Sequence, residues 1–512
     1  MRKIVFAVPR EEDPVIFAYA PLAILSLAKQ VKLAGFEPVI LDAKQIKDDF
    51  LPRLEKEFRD DPVLLWCSGK TGRQLKDLCD AGRLAKQINP DLPVVFGGWH
   101  AQMAVDSTLN TPYVDYVVKT QGETTLPELA RRFAAREDVT GMDGVSGKSP
   151  DGRTWHGKEV DWVRELDTFG PLPWEMVDME FYITGDNGRC QPMVVGAKRT
   201  INYTYSRGCH GMCSFCHITA LWNRGWFSQT PKFVLDEIGR LVNEFKVEGI
   251  DFHDSNFFTG QKRAMQIVDG IIERGYQFIW KCSVRADQVN AMSDSEMERI
   301  TKAGCTEFAI GAEGGTNRVM GLVAKEIVPS DVIECSHRCA KWGILPEYSF
   351  MVGFPDEKNW DDSKATLAFM ARLRQIAPNA LAEYFYYTPF PGTPLFKDYA
   401  QRFMPKHETL EDYVNFSTYA PNMPWVDDKL PVLLKMATRF YFKFAIPNSD
   451  LRRKMAQKNL MGFGLRMMTR ISNWRVQKRV YAFPIEYRLA RFVKDVLIGK
   501  LGVMKKVAQE VA

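Results

Sequence analysis

Three thiols crowd one short stretch, Thr204-Tyr205-Ser206-Arg207-Gly208-Cys209-His210-Gly211-Met212-Cys213-Ser214-Phe215-Cys216, at C-x3-C-x2-C spacing. A β-rich run at 200–205 precedes them, so they are expected on a loop at the carboxyl end of a strand. Three thiolates on one loop can bind three irons of a cubane cluster and leave the fourth iron open to a ligand. A structural zinc ion would instead need a fourth protein ligand, which His210 or His217 could supply. Spacing leaves both chemistries open. The other seven of the ten cysteines are scattered, and nothing marks the chain for export, so a reducing, cytoplasmic setting is expected.

The elements that must position such a loop are legible as alternating strand-like and helical stretches. In the first part of the chain, strands are expected at 4–8, 38–41, 63–67, 94–96 and 116–118, with helical stretches such as 21–34 between them. That alternation predicts a doubly wound parallel sheet, Rossmann-like in class, whose ligands bind at the carboxyl ends of the strands. The residues at those ends are Ser68-Gly69-Lys70-Thr71-Gly72, Gly97-Gly98-Trp99-His100 and Gln121-Gly122-Glu123-Thr124. Glycines there would let backbone approach a bulky ligand, and hydroxyls would supply hydrogen bonds. The G-x-G-x-x-G fingerprint of a dinucleotide site does not follow the first strand. From 202 to 389 the alternation resumes, with helices expected at 231–245 and 293–302, which predicts a partial (β/α) barrel of the TIM type with its chemistry at the carboxyl ends of its strands. Arg285 and Glu313 fall at such ends. They can bind a carboxylate and ribose hydroxyls respectively, or simply pair with each other across the barrel mouth.

At 512 residues the chain is too long for one core and suggests roughly three domains. With 46% hydrophobic and 26% charged residues it has the balance of a soluble globular protein. No run approaches the roughly 18–20 apolar residues of a membrane span, and the apolar start is too short for a secretory signal. Membrane-integral, secreted and disordered classes are therefore not expected. The net charge of +5 hides an asymmetry, since residues 431–512 carry 18 Lys and Arg against 4 Asp and Glu.

The cysteine motif, with Phe215 before its last cysteine, resembles the signature of the radical SAM superfamily. Downstream, Asp251-Phe252-His253-Asp254, Ser283-Val284-Arg285-Ala286-Asp287, Gly311-Ala312-Glu313-Gly314-Gly315, Met351-Val352-Gly353-Phe354-Pro355 and Tyr387-Thr388-Pro389-Phe390-Pro391-Gly392 are similar to the successive strand-end motifs of its barrel. Pro21-Leu22-Ala23, Gly97-Gly98-Trp99-His100 and Gln121-Gly122-Glu123 resemble the cobalamin-binding (B12-binding) domain fused to many such barrels. In layout the chain resembles the magnesium-protoporphyrin ester cyclase-like and class B methyltransferase members. This resemblance covers roughly residues 1 to 400 and implies a cobalamin-binding domain at 1–140, a linker at 141–195, a radical SAM core at 196–400 and a basic helical region at 401–512.

It further implies three cofactors: a [4Fe-4S] cluster on Cys209, Cys213 and Cys216, S-adenosylmethionine, and cobalamin. S-adenosylmethionine would meet Phe215, Arg285, Glu313, Gly353 and Pro355. Cobalamin would meet Ser68, Gly69, Thr71, Gly97, Gly98, Trp99, His100, Gln121, Gly122, Glu123 and Thr124. The D-x-H-x-x-G motif that supplies a histidine to cobalt in many such domains is missing, and Ala23 stands where glycine is usual. His100 is expected to line the corrin pocket rather than to ligate cobalt.

The linker holds a run of Gly and Pro and reads as a small hairpin followed by an extended strap. From about Gln401 the tail reads as helical, with Lys435, Arg439 and Lys443 stacked on one face among apolar neighbours. Its basic face can be solvated while the apolar side caps the barrel, or it can lie on an anionic membrane. Nucleic acid is the least favoured partner.

The expected activity is C-methylation at an unactivated carbon, using a 5′-deoxyadenosyl radical and methylcobalamin. Oxidative cyclisation or rearrangement of a large hydrophobic substrate is the alternative, and a non-catalytic zinc- and nucleotide-binding regulatory protein is the rival of another class. A hydrophobic small molecule is the expected substrate, and a flavodoxin or ferredoxin the expected electron donor. The expected location is the cytoplasm, with peripheral contact at the inner face of the membrane as a further option.

Overall fold

Apolar runs too short for helices and flanked by amphipathic helices form two mainly parallel sheets, each at the centre of its own lobe. The structure is a computed structural model, and it describes residues 1–10, 17–119, 121–149, 151–446 and 449–489. The expected helical tail beyond 489 lies outside the described residues.

The first sheet has seven strands: β1 (Lys3–Val8), β2 (Glu37–Asp42), β3 (Leu64–Ser68), β4 (Val94–Gly97), β5 (Tyr116–Val118), β6 (Val145–Lys148) and β7 (Thr154–His156). Their order is β2-β1-β3-β4-β5-β6-β7. The first five are parallel and the last two add antiparallel. Along β1, Val5 and Ala7 enter one apolar core while Ile4 and Phe6 enter the other. Both faces are covered, which is why these strands read as unbroken apolar runs. The order reverses between β1 and β3, and a crevice opens there at the strands' carboxyl ends. The hairpin expected in the linker is present, but it belongs to this sheet. The first lobe therefore runs past residue 140.

The second lobe follows β8 (Thr200–Tyr203), a small antiparallel hairpin of β9 (Ser206–Gly208) and β10 (Trp226–Ser228), and then β11 (Gly249–Phe252), β12 (Ile279–Val284), β13 (Cys305–Glu313), β14 (Leu345–Val352) and β15 (Leu381–Tyr386). Six of these strands form an all-parallel sheet in the order β15-β14-β13-β12-β11-β8, an open partial barrel. The period of two sorts each strand: in β14, Tyr348, Phe350 and Val352 are buried under the outer helices, while Glu347, Ser349 and Met351 alternate with them on the half-open inner side.

The tail departs from the helical expectation. Residues 404–428 are mostly irregular, and Leu410, Tyr413, Phe416 and Met423 bury themselves in the first lobe's core. Helices resume at Lys429–Met436, pass through a π-turn at Ala437–Tyr441, include the long Leu460–Lys478 and start again at 485–489. Leu430, Leu433, Leu434, Tyr441 and Phe442 join the barrel's core, while Lys435, Arg439 and Lys443 are exposed. Among the described residues, no helix is long and apolar enough to cross a membrane.

Candidate functional site

The three cysteines lie in the loop between β9 and β10, so they sit at the mouth of the barrel. The loop is pinned from below. Asp254, buried just after β11, accepts hydrogen bonds from the Ser206 backbone N–H at 2.7 Å and from its hydroxyl at 2.5 Å. Burial pushes the Asp254 carboxyl up to about 7. Ser214 donates to Leu322 O at 2.8 Å, holding the far side of the loop.

Two of the cysteine sulfurs flank Gly211, where a Cβ would stand 3.5 Å from Cys209 Sγ and 3.8 Å from Cys213 Sγ. All ten cysteines carry free thiols. Burial raises the thiols of Cys213, to about 11, and of Cys216, while Lys325 and Arg285 beside Cys213 favour its anion. Metal binding takes thiols as thiolates, and the nearby cations favour that form. Among the described residues no three His, Cys, Asp or Glu side chains converge so as to hold a single metal ion. Thiols spread on one loop suit a cluster instead, because each then meets its own iron. His210 packs against Trp226 with ring centroids 6.2 Å apart and His217 against Trp99 at 3.8 Å.

Around this loop the barrel brings together the residues expected for S-adenosylmethionine. Arg285 Nη1 lies 3.6 Å from the Gly211 Cβ position. Arg285 does not pair with Glu313. It binds Asp287 at 3.0 and 3.1 Å and donates to Lys325 O at 2.8 Å. Glu313, only 6% exposed, is held by Lys325 at 2.5 Å. Lys325 is a site residue that motif reading missed, since Ala324-Lys325-Glu326 follows no strand and carries no spacing signal. Phe215 packs against a small apolar cluster that holds Val319, Val323, Phe354 and Tyr387, and Phe354 stands between Gly353 and Pro355 in the segment after β14. Gly353 has φ +74° and its carbonyl accepts from the Trp425 indole at 2.8 Å. Tyr399 donates to the Pro355 carbonyl.

The residues expected for cobalamin divide into two groups. Ser68, Gly69, Thr71, Gly98 and Trp99 are partly exposed together at the ends of β3 and β4, where Ser68 and Gly97 are in register. Lys70 places its ammonium 5.1 Å from the Trp99 ring, and Trp99 in turn meets His217 of the second lobe. The glycines there serve the protein's own packing: a side chain at Gly97 would strike Trp66, and one at Gly98, with φ +78°, would strike Ser68.

The other group turns inward. His100 is 1% exposed, bonds Thr71 Oγ1 through Nδ1 at 2.8 Å and meets the Tyr413 ring edge-on at 4.8 Å. Its Nε2 is buried without a partner, and burial pushes the imidazole down to about 3, so it is neutral. Gln121 clamps the connector, donating to Val163 O at 3.1 Å and accepting from Val163 N at 2.5 Å. Glu123 is buried, accepts from Ser26 at 2.8 Å and forms an ion pair with Arg207, two residues before Cys209. Gly122 is buried beneath it, and Thr124 is exposed with its hydroxyl on Gln121 O at 3.0 Å. The partly exposed group leaves a crevice bordered by donors and by an aromatic face, which fits a large planar cofactor.

A cavity of about 360 Å³ lies between the lobes. Lys70 and Thr71 border it from the first lobe, His253, Glu347 and Phe385 from the barrel, and Phe416 and Tyr419 from the tail. The strand ends of both sheets thus open on one chamber.

The comparisons with known proteins agree with this architecture. The family model "B12 binding domain" matches residues 15–130, and the model "Radical SAM superfamily" matches residues 203–369. The chain belongs to the radical SAM enzymes that carry a B12 binding domain, a class built around a [4Fe-4S] cluster, S-adenosylmethionine and cobalamin. Among relatives, it is 26% identical to an uncharacterized methyltransferase of Pyrococcus horikoshii over 74% of this chain and 78% of that one. It is 25% identical to the anaerobic magnesium-protoporphyrin IX monomethyl ester cyclase of Rubrivivax gelatinosus, over 62% of this chain and 55% of that longer protein. In fold it matches the radical S-adenosylmethionine methyltransferase TsrM of Kitasatospora setae, solved with cobalamin and a [4Fe-4S] cluster bound. That match has a TM-score of 0.64 at 16% identity and covers 92% of this chain and 99% of the other.

Proposed function

We propose that this enzyme methylates a carbon of a small-molecule substrate held in the chamber between the lobes. The observation that carries the reading is the meeting of the two lobes: Trp99 at the end of β4 packs against His217, next to Cys216, with ring centroids 3.8 Å apart, and the chamber lies between the same two lobes beside Lys70 and Thr71, so a methyl donor in one lobe and a hydrogen-abstracting group in the other can meet one carbon. When bound, the cofactors supply a radical that removes hydrogen from carbon and a methyl group to replace it.

The residues' part is to bind and orient. Cys209, Cys213 and Cys216 would hold the cluster. Arg285 and the Glu313–Lys325 pair would engage the carboxylate, amine and ribose of S-adenosylmethionine, with Phe215, Gly353 and Pro355 against its adenine. Ser68, Gly69, Thr71, Gly98 and Trp99 would line the corrin. His100, Gln121 and Glu123 would act one step back, by holding those residues and the connector in place. His100 would not reach cobalt, because its ring is enclosed under Tyr413.

The aromatic walls of the chamber support a substrate with an apolar body. The exposed basic face of the tail supports docking of an acidic electron donor such as flavodoxin or ferredoxin, or contact with an anionic membrane surface at the inner face. Oxidative cyclisation uses the same cofactors, and a cyclase is among the relatives. Turnover with methyl-deuterated S-adenosylmethionine separates the two: methylation should place the label on the product carbon, and an unlabelled product would end the methylation reading in favour of cyclisation.

A further inference from the structure

The chamber between the lobes is not evenly lined. Glu347 and Glu383 stand on its barrel wall, on the neighbouring strands β14 and β15. Beneath them Lys281 Nζ is 3.3 Å from Glu347 Oε2 and 3.8 Å from Asp251 Oδ2, and Glu307 is in register beside Lys281 on β13. One ammonium therefore serves three carboxylates. Glu307 takes a further hydrogen bond from Val195 N at 2.6 Å, whereas Glu383 has no salt-bridge partner among the described residues. His253, whose ring meets Tyr19 at 4.8 Å, is the other titratable group on the barrel side, and Lys70 and Arg73 stand across the chamber on the first lobe. Phe17, Tyr19, Phe385, Phe416 and Tyr419 also line it.

Carboxylates gathered on a partly desolvated wall are costly unless a cation balances them. Aromatic faces beside them attract the same kind of ligand through their π-clouds. Burial and the neighbouring Glu347 charge push Glu383 upward, and burial pushes Asp251 up to about 6.

We propose that the substrate carries a cationic nitrogen, as an amine or guanidinium, seated on Glu383 and Glu347 with its apolar body against the aromatic wall. This rests on the reading of the chamber as the substrate site, and it makes Glu383 and Glu347 the residues that select the substrate.

Titration calorimetry of the cofactor-reconstituted enzyme with three probes of similar size tests it: 2-phenylethylamine, 2-phenylethanol and 3-phenylpropionate. The amine should bind about tenfold more tightly than either of the others. That preference should disappear in Glu383→Gln, with Glu347→Gln as a second variant should the first fold poorly. Equal binding of the three probes, failure of the amine to bind, or a preference that survives both substitutions would overturn the proposal. The readout is binding and not turnover. An enzyme that prefers the amine yet transfers no label keeps this inference and loses methylation, and the opposite pair of results does the reverse.

Discussion

At Glu313 three demands meet on one residue. Its backbone sits at φ +55°, which a non-glycine residue adopts at a cost of about 1–3 kcal/mol, so the surroundings must compensate. Its carboxylate is buried and answered by Lys325, which also donates to Gly311 O at 2.6 Å. A side chain at Gly311 would meet the charged ends of both and push the pair aside, so glycine there leaves the pair its room. Lys325→Met should therefore leave a buried, uncompensated carboxylate and lower stability in denaturant titrations by about 3 kcal/mol. It should also weaken S-adenosylmethionine binding in equilibrium dialysis. Arg285 and Glu313 were legible in the chain because motifs at strand ends mark them. Lys325 was not, since it reaches the site only through the fold of β13 and the turn at Ala324, where φ is +48°.

Among the elements, the parallel strands of both lobes could be read from apolar runs separated by helices, because burial on both faces leaves that pattern. The β9–β10 hairpin left no such trace: three-residue strands that pair across a long loop bury too little to impose a period. Asp254 holds that hairpin through Ser206, and its raised carboxyl has a consequence for stability. Its folded value, about 7, lies above the ordinary carboxylate value, so the folded state holds a proton that the unfolded state releases. Stability from this group is complete in acid and is lost as pH rises through about 4 to 7, at about 1.4 kcal/mol for each step of one in pH. Asp251 adds to the same slope. Asp254→Asn should make the dependence of unfolding free energy on pH less steep across that window, with Asp251 and the other carboxyls raised by burial keeping their share, as measured by urea titration at several pH values.

Across the whole molecule, the lobes are joined by polar contacts as well as by apolar packing. Asn202 of β8 exchanges two hydrogen bonds with the Ala20 backbone, at 2.8 and 3.1 Å. Glu123 of the first lobe pairs with Arg207 beside the cysteine loop. Residues 410–423 lay the tail back over the first lobe. Breaking one partner of a buried pair leaves a charge without compensation, so Arg207→Met should cost about 3 kcal/mol. It should also expose the connector between β7 and β8 to protease at concentrations the parent protein resists, while Cys209, two residues away, keeps its place in the chain but loses its anchor.

The succession of strands along the chain, the three-thiol loop, and the residues at the ends of β3, β4, β12 and β13 were set by local composition and spacing, since each signal spans only a few residues. Tertiary structure alone decided which strand-end residues face the chamber and which turn inward. His100, Gln121 and Glu123 carry the same kinds of polar atoms as Ser68 and Thr71, yet Tyr413, Val163 and Arg207, from distant parts of the chain, claim them first. A polar side chain binds whatever desolvates it in the folded state, and that partner is assigned by contacts made across the whole chain.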